Sequence, residues 1–177
     1  KVLQLKDDVE YPNYPSELKY LSTDANRIDY LATVIKDIAN AGNTFVLIDR
    51  IKTGEMLIER IPDAMFVRGA TKNEERKETY DEVATGNDSL IIATYGVASV
   101  GINIPRIFNL VLIEPGKSFV RVIQSIGRGI RKAHDKDFVQ IWDITSNCKY
   151  SKRHLTTRKK YYREAQYPFN IEKISYK

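Results

Sequence analysis

The sequence predicts an α/β protein: a parallel sheet with helices on both faces, followed by a basic C-terminal helical extension. Three observations predict it. Short continuous apolar runs at 45–48, 64–67, 90–93, 110–113 and 138–142 alternate with segments of helical period. A strand covered on both faces reads as such a run, whereas a half-exposed strand alternates. From Lys149 to Arg163 there is no acidic residue, while Lys149, Lys152, Arg153, Arg158, Lys159, Lys160 and Arg163 are basic.

Taken in order, residues 1–22 read as irregular, because Tyr11-Pro12-Asn13-Tyr14-Pro15 suits neither a helix interior nor a central strand. A helix follows from Asp24, with Ile28, Leu31, Ala32, Ile35, Ile38 and Ala39 on one stripe, Thr23 as its cap and Gly42 past its end. The run at 45–48 is a buried strand, and Thr53 caps the next helix. After the strand at 64–67, Thr71-Lys72-Asn73-Glu74 forms a capping box for a helix ending at Gly86. Strands at 90–93, 110–113 and 138–142 complete the pattern, with a helix from Ser118 between the last two. Beyond Asn147 a basic helix at 152–166 is expected, stopped by Tyr167-Pro168, with an extended piece at 169–176. In parallel sheets ligands sit at the carboxyl ends of the strands. Asp49, Arg68, Thr94 and Glu114 fall at or just past those ends.

Composition bounds the function. A chain of 177 residues is long enough for one domain with a proper core and an appendage. The net charge of +5 suits a phosphate-rich partner. Cys148 is the single cysteine, so no intrachain disulfide forms, and a reducing cytosol is the expected compartment. His134 and His154 with one cysteine do not make a zinc site of any usual spacing. No apolar stretch is long enough to span a bilayer, and Lys1 to Asp8 is too short and charged for a signal peptide. The first residue is not Met, which reads as a fragment of a longer chain or as removal of the initiator by processing.

The most informative segment is Gln124-Ser125-Ile126-Gly127-Arg128-Gly129-Ile130-Arg131. On a helical wheel Phe119, Val122, Ile123, Ile126 and Ile130 share one face, and Arg121, Gln124, Arg128 and Arg131 the other. A core-packed helix therefore aims guanidinium groups, suited to bidentate phosphate recognition, away from its own domain. The Gln-x-x-Gly-Arg-x-x-Arg pattern resembles the last signature motif of superfamily-two helicases and translocases. Residues 45–50, 67–69 with 86–94, and 93–105 are similar, in order, to the strand that opens that family's second RecA-like domain, the unit that follows and its fifth motif. The resemblance spans about residues 24–145. It implies a RecA-like domain at 23–148, an interdomain linker at 1–22 and a basic extension at 149–177.

A nucleotide hydrolase of this kind needs the loop Gly-x-x-x-x-Gly-Lys-[Ser/Thr]. Gly116-Lys117-Ser118 follows a strand, but the first glycine of such a loop would stand where Val111 lies within that strand. No strand ends in an acidic pair of the kind that holds magnesium, and Asp143 reads as a lone structural acid. The resemblance therefore implies half a motor. ATP and Mg would be bound mainly by a first RecA-like domain that supplies the phosphate loop. This chain would supply Arg128 and Arg131 as catalytic arginines, with Gln124, Gly101 and Asn103 toward the nucleotide. Asn103 stands where the family often has Asp, so it brings a hydrogen bond without charge.

The resemblance implies that Thr94 and Gly96 touch a nucleic-acid backbone, and a hydroxyl and a closely approaching backbone suit phosphate oxygens. Arg50, Arg68 and Gly69 are further candidates at neighbouring strand ends. Lys152, Arg153, Lys159 and Lys160 admit two readings: a phosphate contact, or a solvated face of a helix that packs Leu155, Tyr162 and Ala165 on the domain. The partner implied is branched or single-stranded DNA, and the place the cytoplasm, of a bacterial host if the source is a phage. The alternative is a passive nucleic-acid-binding module of the same fold without motor activity.

Overall fold

The structure, a computed structural model, describes residues 1–69, 88–99, 107–116, 123 and 139–177. Its described strands are β1 (Val2–Leu5), β2 (Thr44–Ile48), β3 (Met65–Val67), β4 (Leu90–Thr94), β5 (Asn109–Ile113), β6 (Gln140–Ser146) and β7 (Ile171–Ile174). They form one sheet in the order β3-β4-β2-β5-β6-β1-β7, and every pairing is parallel. The described helices are α1 (Tyr14–Thr23), α2 (Ala25–Ala39), α3 (Ile51–Arg60), the short α4 (Tyr95–Ser99) and α5 (Lys149–Glu164).

Successive strand residues point to opposite faces, and both faces are apolar. Phe45, Leu47, Ile91, Ala93, Leu110 and Leu112 meet Leu155 and Tyr162 of α5 on one side, where Ile123 is also buried. Val46, Ile48, Ile92, Val111 and Ile113 meet Ile28, Leu31 and Ile35 of α2 and Leu57 of α3 on the other. This is the parallel sheet covered on both faces that the apolar runs predict, and it fits the RecA-like domain that the resemblance implies. No helix among the described residues is long and apolar enough to cross a membrane.

Several expectations need correction. Residues 1–22 are not irregular. Val2–Leu5 is a fully buried strand between β6 and β7, and Tyr14–Thr23 is helical, with the Asn13 side chain accepting from Ser16 N at 2.9 Å. Pro15 fits because it sits in the first turn, where its missing N–H would have had no helical partner. Thr23 does not cap α2. Asp24 does, through Arg27 N at 3.1 Å, while the Thr23 hydroxyl donates back to Lys19 O. Thr53 lies inside α3 and donates to Ser22 O at 2.7 Å, tying α3 to α1. The last long strand is β6 at Gln140–Ser146, later than expected, because its second half buries polar side chains that find partners. The extended C-terminal piece is β7, parallel to β1. The capping box at 71–74, residues 100–105 of the fifth motif and the helix from Ser118 lie, Ile123 apart, outside the described residues.

Candidate nucleic-acid interface

Because every described strand runs the same way, all their carboxyl ends open on one edge. The order β3-β4-β2 sets Val67, Thr94 and Ile48, the last residues of three neighbouring strands, beside one another. Arg68 and Gly69, Thr94 and Gly96, and Asp49 and Arg50 thus occupy three adjacent strand ends.

Arg68 lies with its guanidinium 5.1 Å from the centre of the Phe66 ring and 3.4 Å from Glu55 Oε1. Arg68 and Glu55 are both well exposed, so this pair holds the side chain only loosely. Arg50 precedes α3 and sits 3.7 Å from Asp49 Oδ2, also exposed. The Thr94 hydroxyl accepts from Val97 N at 3.3 Å. Gly96 is exposed, and among the described residues a Cβ there would meet nothing nearer than Thr94 Oγ1 at 3.9 Å, and one at Gly69 nothing within 4 Å. Neither glycine has the positive φ that favours glycine. The described fold therefore does not itself require glycine at either place.

Behind this edge lie two buried charge clusters. Arg27 donates to Asp7 at 3.1 Å, to Glu114 at 2.6 Å and to Leu21 O at 3.1 Å. Glu114 also accepts from Ser151 Oγ at 3.2 Å, and Asp7 accepts from Ser146 and Tyr176. Arg158 of α5 forks onto Asp143 at 2.7 and 3.0 Å and donates to Pro115 O at 2.7 Å. Tyr162 donates to the same carboxylate at 2.7 Å, and its phenol is pushed up by burial and then by the Asp143 charge. Such pairs hold elements in register, since removing one partner strands a buried charge. Asp143 is thus structural, as the sequence suggests.

On α5, Ser151, Leu155, Arg158 and Tyr162 are buried. Lys152, Arg153 and Lys160 are exposed and Lys159 is partly so, all four on the outer arc. The packing half of the two readings of this helix is therefore present, and the outward basic face is present with it. Arg158, which composition groups with the other basic residues, points inward.

Gln124, Arg128, Arg131, Gly101 and Asn103 lie outside the described residues. Among the described residues no group of three or more His, Cys, Asp or Glu side chains could hold a metal ion. The carboxylates nearest the edge are engaged, Glu114 by Arg27 and Asp49 beside Arg50, so this part of the chain does not fit a magnesium site. Sequence reasoning missed Arg27 and Glu114 as partners. One signal was available: Arg27 falls in line with Leu31 and Ile38 on the buried stripe of α2.

Comparison with known proteins gives a consistent picture. The family model described as "Helicase conserved C-terminal domain" matches residues 26–133. The ATP-dependent DNA helicase uvsW of Enterobacteria phage T4 is 28% identical over 153 residues, covering 84% of this chain and 30% of that protein. The crystal structure of T4 UvsW superposes with a TM-score of 0.84 at 22% identity, over 99% of this chain and 41% of that one. The C-terminal domain of the DEAD-box protein Dbp5 superposes with a TM-score of 0.63 at 16% identity, over 98% and 88%. The chain thus spans less than a third of the length of the curated relatives that it matches.

Proposed function

Because this chain belongs to the family of helicase conserved C-terminal domains, we propose that it is the second motor domain of an ATP-dependent DNA helicase or translocase that remodels branched DNA in replication, recombination and repair. In this reading a first RecA-like domain carries the phosphate loop and the acids that hold magnesium, and ATP lies in the cleft between the two. Bound magnesium would offset negative charge on the phosphates. Arg128 and Arg131 stabilise the charge of the transferring phosphoryl group, Gln124 senses the nucleotide, and Gly101 and Asn103 lie toward it. Fingers of this kind are worth roughly 10³ to 10⁵ in rate in related hydrolases.

The observation that carries the reading is the row of three adjacent strand ends. Arg68, Thr94 and Arg50 offer cations and a hydroxyl there, and among the described residues a Cβ at Gly69 or Gly96 would meet no clash. Phosphate contacts of this type position a strand without reading its bases. Gly96→Ala tests it. The chain accepts a methyl group at this position, so the thermal midpoint should hold, while affinity for single-stranded or branched DNA falls by about tenfold, the scale of one displaced phosphate contact. Unchanged affinity removes this edge from the interface. The passive-module alternative predicts that the full-length protein binds nucleic acid but shows no ATP turnover for Arg128→Ala to change.

A further inference from the structure

The bend that ends β5 is gripped from three sides. Tyr95 lies between Thr94 and Gly96, yet its hydroxyl crosses β2 and donates to Ile113 O at 2.8 Å. Arg158, on the inner face of α5, donates to Pro115 O at 2.7 Å while forked on Asp143. Ser151, also on α5, donates to Glu114 Oε2 at 3.2 Å. Between these anchors Glu114 holds a φ of 45°, a left-handed conformation that an L side chain keeps only when its surroundings impose it. Gly116 closes the bend, and a Cβ there would lie 2.9 Å from the Tyr14 hydroxyl, so little slack remains. The chain then runs directly into the segment that bears Gln124, Arg128 and Arg131.

Both elements read as nucleic-acid contacts, the Thr94–Gly96 turn and the basic helix α5, are therefore fastened to one three-residue bend at the head of the segment read as facing ATP. We propose that Tyr95 and Arg158 are positioning residues that make ATP turnover respond to nucleic acid. The proposal rests on the motor reading above. Neither side chain touches ATP or the strand. Each fixes where the chain leaves the sheet, so a shift of the turn or of α5 on binding moves that departure point.

The test uses the full-length protein, with ATP turnover measured with and without saturating branched DNA. Tyr95→Phe removes one hydroxyl and keeps the ring. Arg158→Lys keeps a cation beside Asp143 but cannot both fork on it and reach Pro115 O. In each variant basal turnover should stay within about twofold, and DNA affinity without nucleotide should hold. Turnover with saturating DNA should fall by about fivefold or more, the lower end of typical coupling between sites, with KM for ATP little changed. Stimulation equal to wild type in Tyr95→Phe overturns the proposal. So does a proportional loss of basal and stimulated turnover in both variants, which marks a structural role only. A wild-type protein without DNA stimulation, or an Arg128→Ala variant with normal turnover, refutes the motor reading instead.

Discussion

Gly54 stands inside α3, where alanine would ordinarily be better by about 1 kcal/mol. Here a Cβ would lie 2.2 Å from the tip of the Phe66 ring. The ring must move, and Arg68 rests on it. Gly54→Ala should therefore destabilise by about 1–3 kcal/mol, the usual cost of overpacking, reversing the sign that helix propensity gives. Chemical denaturation checks it, and a more stable variant would show that Phe66 yields freely. Tyrosines set a second expectation. Burial, followed by the charges of Asp49, Glu114 and Glu17, pushes Tyr14 up to about 12. Burial is also the first cause raising Tyr95 and Tyr176. The unfolded chain releases phenolic protons near pH 10. Between there and the raised folded values the native state binds more protons than the unfolded one, so stability falls as pH rises. Denaturation midpoints should drop from about pH 9 to about pH 11, and Tyr14→Phe should flatten part of that slope. A flat profile would mean these phenols are not held as described.

Helix α5 has two faces with different work, and they separate in experiment. Replacing Lys152, Arg153, Lys159 and Lys160 by Gln should lower the log–log salt slope of duplex DNA binding by about 0.9 for each phosphate that is no longer neutralised. Sequence preference should stay, because phosphate contacts do not read bases. The thermal midpoint should hold, since exposed charges contribute little. An unchanged slope with a lowered midpoint would make the helix a brace alone. The same helix shows what a sequence can and cannot tell. Its length and amphipathic stripe are legible through Leu155 and Tyr162. The inward turn of Arg158 is not, because its partners Asp143 and Pro115 come from β6 and the end of β5. The strands at 45–48 and 110–113 are legible because burial on both faces leaves unbroken apolar runs. β1 is less so, since four residues beside a proline-rich stretch carry little periodicity. Thr53 and Thr23 mislead for one reason: a threonine hydroxyl can serve a neighbouring carbonyl as readily as a helix start.

At the scale of the molecule, the proposed function makes this chain half a motor, which should be silent by itself. This chain alone should release no phosphate from ATP above buffer, with or without DNA. In the full-length enzyme Arg128→Ala or Arg131→Ala should cut DNA-stimulated kcat by about 10² or more, with DNA affinity in the absence of nucleotide nearly unchanged. Loss of DNA binding with intact turnover would show that these arginines face the strand and not ATP. The sheet's wiring has a consequence of another kind, in time. Val2 lies between Asp143 and Ile171, so the first of the described strands to be synthesised finds its two neighbours only in the last two. Pairings this distant in sequence form slowly. Until β6 and β7 emerge, Val2–Leu5 offers two open apolar edges to any passing strand. The first of these strands off the ribosome is thus the last to be sheltered, and a chain cut short before Ile171 would keep one of those edges open.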